Sequence, residues 1–249
     1  MNIPHQLGYF RIEAYLGSGR YTDVFRAVDP VRRRTLALKL LKVDRLADAI
    51  EPSTLLTEAR RAADLVHPHI AWVWEAGELE GRFFLAERFI NGPSAAQMIR
   101  KSGPLPVDQA ISAIYQTALA LDFAHAKGWV HGDVKPANIL ISSDHGAALT
   151  DIGLSFALWT TTTPSEYDLA EGKALPGTPE YQAPEVWRGK LPDAASDQYS
   201  LACTLVEMLT GQSLFFAPTL AEIRANHLSP PDLLSLPLPW FFFRRCAVP

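Results

Sequence analysis

The residues with chemical potential fall in an ordered series of short segments. Leu16-Gly-Ser-Gly-Arg-Tyr-Thr-Asp-Val24 is a glycine-containing turn between strand-like stretches, and Ala37-Leu-Lys39 is an apolar strand carrying one lysine. His131-Gly-Asp-Val-Lys-Pro-Ala-Asn138 precedes the apolar Ile139-Leu-Ile141. Asp151-Ile-Gly153 follows, and Gly177-Thr-Pro-Glu-Tyr-Gln-Ala-Pro-Glu185 closes the series. Glycine lets backbone N–H groups approach an anion where a Cβ would obstruct. Asparagine and aspartate present the hard oxygens that a small divalent cation requires. Taken singly, a lysine or a glutamate is most often a surface residue, and a glycine turn is most often a plain hairpin. The ordered set carries more weight than its members.

Those segments need elements to hold them. Residues 1–90 read as strands with one helix. Alternating or β-branched stretches at 10–16, 23–28 and 35–41 are separated by Gly17-Ser-Gly19 and Asp29-Pro30. Residues 53–66 place Leu55, Ala59, Ala62 and Val66 at helical spacing, and strand-like runs follow at 70–75 and 82–90. After Asn91-Gly92-Pro93 the pattern turns helical. Val107, Ala110, Ile111, Ile114, Ala118, Leu121 and His125 form one apolar stripe, and a second buried helix is expected at 196–210, stopped by Gly211. A strand-rich part followed by a helical part implies two lobes with a cleft, where small ligands bind.

Composition removes other classes. With 48% hydrophobic and 20% charged residues the chain is an ordinary folded one. A net charge of −4 and only short basic runs, Arg32-Arg33-Arg34 and Arg60-Arg61, give no footprint for nucleic acid. Cys203 and Cys246 make neither a disulfide framework nor a zinc site, and His67-Pro-His69 has no partner cysteines. The N-terminus lacks a signal-peptide pattern, and the apolar run at 236–243 is far below the roughly 20 residues of a membrane helix. A cytoplasmic protein without a membrane segment is expected.

The segments together match the signature set of protein kinases. Over residues 9–245 the chain resembles the eukaryotic-like serine/threonine protein kinases, especially their bacterial branch. The spacings agree: Asn138 lies five residues after Asp133, and Asp151 thirteen after Asn138. The resemblance implies an α+β, two-lobed protein-kinase-like fold. Residues 1–90 would form a β-rich N-lobe with one main helix, and 91–249 a mainly helical C-lobe. It implies ATP and Mg²⁺ as cofactors, and a protein substrate phosphorylated on Ser or Thr.

By that resemblance, the turn Leu16, Gly17, Ser18 and Gly19 covers the phosphates. Lys39 holds them, oriented by an ion pair to Glu58 on the helix. Leu16, Val24 and Ala37 lie above the adenine and Leu140 below it. Asp133 accepts or orients the substrate hydroxyl proton, Lys135 offsets γ-phosphate charge, and Asn138 and Asp151 are the metal ligands. Asp197 is expected to hydrogen-bond catalytic-loop backbone, and His131 to be a packed, satisfied histidine.

Several positions depart from the family's pattern. Thr22 replaces a third glycine, Ile152 replaces a Phe, and Gly132 stands where an arginine normally receives an activation-segment phosphate. Thr160 to Thr163, Ser165 and Thr178 remain candidate phosphorylation sites. Near the hinge, Glu87 falls at the gatekeeper position with Arg88 after it, or one residue shifted. The family continues past the helix expected at 240–246 to an arginine that pairs with the Glu185 equivalent. A C-terminally truncated kinase fold is therefore expected, marginally stable through uncovered Trp240, Phe241, Phe242 and Phe243. Glu185 then has a substitute partner, is exposed, or belongs to a longer product. Two alternatives stand beside the active enzyme: a nucleotide-binding pseudokinase scaffold, and a small-molecule phosphotransferase.

Overall fold

The computed structural model describes residues 5–46, 52–161 and 176–229. Six antiparallel strands, β1 (Gln6–Leu7), β2 (Phe10–Ser18), β3 (Thr22–Asp29), β4 (Arg34–Leu41), β5 (Val73–Leu79) and β6 (Arg82–Arg88), form a sheet of order β1-β2-β3-β4-β6-β5. α1 (Pro52–Arg61) lies between β4 and β5 in sequence.

Register decides which side chains reach the site. Directly paired residues share a face of a sheet. Val24 pairs with Lys39 and Ala37 with Glu87, so these four share one face. The intervening residues Phe25, Leu36, Leu38, Phe84 and Ala86 go to the other face and close a separate apolar cluster.

The rest is helical apart from the ribbon β7 (Ile139–Ser142) and β8 (Gly146–Leu149). Its helices are α2 (Ala95–Ser102), α3 (Val107–His125), α4 (Ile152–Thr161), α5 (Pro184–Trp187), α6 (Ala194–Thr210) and α7 (Leu220–Leu228). Three starts are fixed by capping boxes: Ser94 with Gln97, Asp193 with Ser196, and Thr219 with Glu222. Gly211 ends α6 at φ 76°, a left-handed value that glycine takes without a Cβ penalty. The largest core joins Leu55, Leu56 and Ala59 of α1 to Ala110, Ala113 and Ala120 of α3 and to Leu154 and Leu158 of α4. α1 thereby belongs to a core that reaches across to the helices.

The α+β kinase-type architecture agrees with the sequence expectation, with local corrections. The helix expected over 53–66 ends at Arg61 and passes into a 3-10 turn, Ala62–Asp64. The strand expected at 70–75 begins at Val73, because Ile70 is taken up in an isolated bridge to Leu149. α4 was not expected at all. The helix expected at 240–246 and the sites Thr162, Thr163 and Ser165 lie outside the described residues.

Candidate active site

Two adjoining cavities lie where the sheet meets the helices. The larger, about 640 Å³, is lined by Leu16, Gly17, Ser18, Gly19, Val24, Ala37, Lys39, Leu140 and Asp151, and its far side by the hinge residues Arg88 to Pro93. The smaller, about 130 Å³, lies between Gly19–Thr22 and Asp133, with Leu154, Ser155 and Leu158 of α4 as a further wall. Gly19, Thr22, Lys135, Asn138 and Asp151 border both. None of Leu16, Val24, Ala37 and Leu140 is fully buried, as befits the wall of an open cleft. A Cβ at Gly17 would meet no protein atom within 4 Å, whereas one at Gly92 would lie 2.0 Å from the Ile141 carbonyl oxygen. Gly92 is therefore what allows the hinge to touch β7.

The loop 131–138 is held from below by Asp197, fully buried near the start of α6. Its Oδ2 accepts from the backbone N–H of His131 at 2.8 Å and its Oδ1 from that of Gly132 at 2.8 Å. His125 Nε2 lies 2.8 Å from the same Oδ2. His131 is buried, and its Nδ1 accepts the Asp133 N–H at 3.1 Å. That bond puts the ring proton on Nε2, which donates to the Thr150 carbonyl at 2.9 Å. Both residues take the structural places expected of them.

Asp133 then faces the smaller cavity. Its Oδ1 accepts the Thr178 hydroxyl at 2.7 Å, and its Oδ2 accepts Lys135 Nζ at 2.6 Å. Lys135 also donates to Thr178 Oγ1 at 2.5 Å. Asn138 donates to the Asp133 carbonyl at 2.8 Å, which fixes its amide and leaves its side-chain oxygen available. Tyr21 closes the cavity from the sheet side. Burial pushes its phenol pKa up, with Arg20 opposing and Asp133 adding to the rise.

The expected Lys39–Glu58 ion pair is not formed. Lys39 Nζ donates to Glu87 Oε2 at 2.6 Å, to Asp151 Oδ1 at 2.7 Å and to Thr150 Oγ1 at 2.8 Å. Glu58 instead accepts from Arg61 Nη1 at 2.8 Å, one turn along its own helix. The cause is α4. Gly153 fits so closely on the end of α1 that a Cβ there would stand 3.5 Å from the Ala59 carbonyl oxygen and 2.8 Å from Cβ of Ala62 in the turn that follows. Arg60 Nε also ties α1 to β5 by donating to the Ala76 carbonyl at 2.7 Å.

One cation thus sits between two carboxylates. Burial would lower the Lys39 pKa, but Asp151 and Glu87 outweigh it and raise it. Burial pushes the Glu87 carboxyl up against the pull of Lys39. Asp151, which is partly exposed, is held below the usual carboxylate range because Lys39 overcomes its desolvation. Its φ of 70° is a left-handed value, uncommon outside glycine and tolerated best by Asn and Asp.

The arginine missing at Gly132 has a physical replacement. Trp159 of α4 donates Nε1–H to the Gly132 carbonyl at 3.0 Å. Gly132 has φ 73°, and a Cβ there would lie 2.5 Å from Trp159 Cδ1 and Nε1. The indole occupies space that any side chain at 132 would need. Glu185, half-buried, accepts the Ser196 hydroxyl at 2.7 Å, so a neutral donor on α6 serves it.

Thr150, Trp159 and Gly92 were not singled out from sequence. Only Gly92 gave a signal, as part of a turn tripeptide, and it carries no chemistry of its own.

The chain belongs to the protein kinase domain family, whose sequence model, described as "Protein kinase domain", matches residues 10–233. It is 37% identical over 221 residues to the serine/threonine-protein kinase PknE of Mycobacterium tuberculosis, covering 89% of this chain and 38% of the relative. It is 35% identical over 229 residues to PknD of the same species, covering 92% and 34%. Among solved structures, the PknI kinase domain of Mycobacterium tuberculosis superposes with a TM-score of 0.66 at 27% identity, covering 95% of this chain and 85% of that one. The chain spans little more than a third of the length of the curated relatives.

Proposed function

We propose that the chain is a catalytic domain that transfers the γ-phosphoryl group of ATP to serine or threonine hydroxyls of protein substrates. The observation that carries this is the meeting of two cavities over one set of charged groups. The larger has the volume and apolar walls of a small-ligand pocket. The smaller adds Asp133, a carboxylate within hydrogen-bond reach of a hydroxyl, which supports a role in receiving its proton. Asp133 Oδ1 already holds a threonine hydroxyl, that of Thr178, which is the kind of group a substrate would present. The naming of the relatives PknE and PknD as serine/threonine-protein kinases supports the same reading.

The donor set fits Mg²⁺. Asn138 and Asp151 offer two hard oxygens, and no group of three His, Cys, Asp or Glu able to hold a metal gathers among the described residues. Magnesium suits such a site because it keeps waters and substrate phosphates in its shell. When bound, the ion neutralises charge on the phosphates. Lys39 would hold the nucleotide's phosphates, Lys135 would offset charge at the transferred group, and Tyr21 would exclude water. A cytoplasmic location, where ATP is supplied, goes with this reading. No helix among the described residues is long and apolar enough to cross a membrane.

The test is labelling with radioactive ATP and Mg²⁺, using the chain and its Asp133→Asn variant on a protein substrate. Label should enter protein only with Asp133 present. Equal labelling by both, or none by either, would overturn the reading.

Trp159 fills the place beside Asp133 where an arginine would read a phosphate. Phosphatase treatment should therefore change the rate by less than about tenfold, or ~1.4 kcal/mol. A larger fall would show that another basic residue performs that task.

A further inference from the structure

Among the groups around the site, Glu87 has no part in the reading above, yet its carboxylate is among the most buried charges described. Its relative exposure is 1%, and it lies on the last inward-facing position of β6. Its Oε2 accepts Lys39 Nζ at 2.6 Å and the Thr150 hydroxyl at 2.9 Å, while Lys39 also donates to Thr150 at 2.8 Å. The three groups close a triangle inside the molecule. Glu58, by contrast, is on α1, which α4 and the Arg60 tie hold where Glu58 bonds Arg61.

We propose that Glu87, and not Glu58, is the positioning residue that orients Lys39 toward the nucleotide's phosphates. This rests on the kinase reading of the site. Its physical basis is the cost of separating the pair. If Lys39 turned to Glu58, Glu87 would keep only a threonine hydroxyl in a site closed to water, and an unpaired buried charge is strongly unfavourable. β4 and β6 are adjacent strands with Ala37 directly opposite Glu87, so the Lys39–Glu87 distance is set by sheet register. An orienting carboxylate on a strand does not depend on where a helix sits. In this chain the lysine can therefore be in place without α1 moving.

Two measurements test it, and the first needs neither nucleotide nor turnover. Lys39→Met should lower the melting temperature of the nucleotide-free protein, because Glu87 loses its cation. Adding Glu87→Gln on that background should restore about 4 °C or more, and adding Glu58→Gln should restore none. Recovery with Glu58→Gln and not with Glu87→Gln would overturn the proposal even if the protein shows no kinase activity.

The second measurement is the affinity for ATP, by calorimetric titration, beside the KM values for ATP and for the protein substrate. Glu87→Gln should weaken ATP binding by about tenfold more than Glu58→Gln does, leaving the protein-substrate KM within about threefold. Damage to the fold alone would move both constants. A larger loss of ATP affinity with Glu58→Gln than with Glu87→Gln would overturn the proposal.

Discussion

Asp151→Asn is expected to lower phosphoryl transfer by at least ~10²-fold while the protein remains folded. Removing one preorganised charged group at a reacting centre costs about 2.7–4 kcal/mol, and Asp151 is both a proposed metal ligand and a partner of Lys39. Its backbone has φ 70°, which asparagine adopts nearly as readily as aspartate, so the substitution adds no conformational strain. Lys39 would keep its 2.6 Å bond to Glu87 and remain buried but paired. Lys39→Met should show a different combination. It too should lose at least ~10²-fold in rate, but it also strips the cation from a fully buried carboxylate. Breaking a buried pair by removing one partner costs about 3–5 kcal/mol, which for a chain of this size lowers the melting point by on the order of 10 °C. Steady-state labelling and thermal denaturation of both variants check the pair. Undiminished turnover by either would refute the site, and equal melting points would refute the account of Glu87 as a carboxylate dependent on Lys39.

Those two variants differ at a contact, Lys39 to Glu87, that the sequence does not show. The loop 131–138 is legible in the sequence because its residues are set at short-range spacing. Asp133 and Asn138 are five residues apart, and an intervening 3-10 turn, Pro136–Asn138, brings the amide back to the aspartate. The wall residues Val24 and Ala37 followed from the family resemblance, and strand register puts both on the face of Lys39. The partner of Lys39 did not, because Glu58 sits on a helix whose position is set by tertiary packing. That packing comes from α4, and α4 was hidden by its own composition. Ile152, Leu154, Ser155, Ala157, Leu158 and Trp159 are all buried, so no polar face alternates with an apolar one to betray a period of 3.6. Glu87 is visible in the sequence near the hinge, but its register is open by one residue. Only its pairing with Ala37 shows that it faces inward.

Gly132 is the position where sequence and structure together give more than either alone. Read from sequence, it is an arginine lost. In the structure it is a space filled, since the Trp159 indole packs on it and donates to its carbonyl at 3.0 Å. Trp159 also belongs to a cluster with Ala183, Val186, Trp187 and Ile223, so it joins α4 to α5 and α7. Trp159→Ala is therefore expected to cost about 3–5 kcal/mol, the range for truncating a buried tryptophan. That is a large share of the roughly 5–15 kcal/mol that holds a domain together. Gly132→Arg should be destabilising for two separate reasons. Its Cβ would stand 2.5 Å from the indole, and φ 73° is a left-handed value that an L-residue with a long side chain rarely adopts. The double variant Gly132→Arg/Trp159→Ala removes the first cause and leaves the second. It should therefore be less destabilised than the sum of the single variants, with a coupling of about 0.5–3 kcal/mol measured in denaturant unfolding. If the two costs simply add, the glycine and the tryptophan are independent, and the indole is not what excludes a side chain at position 132.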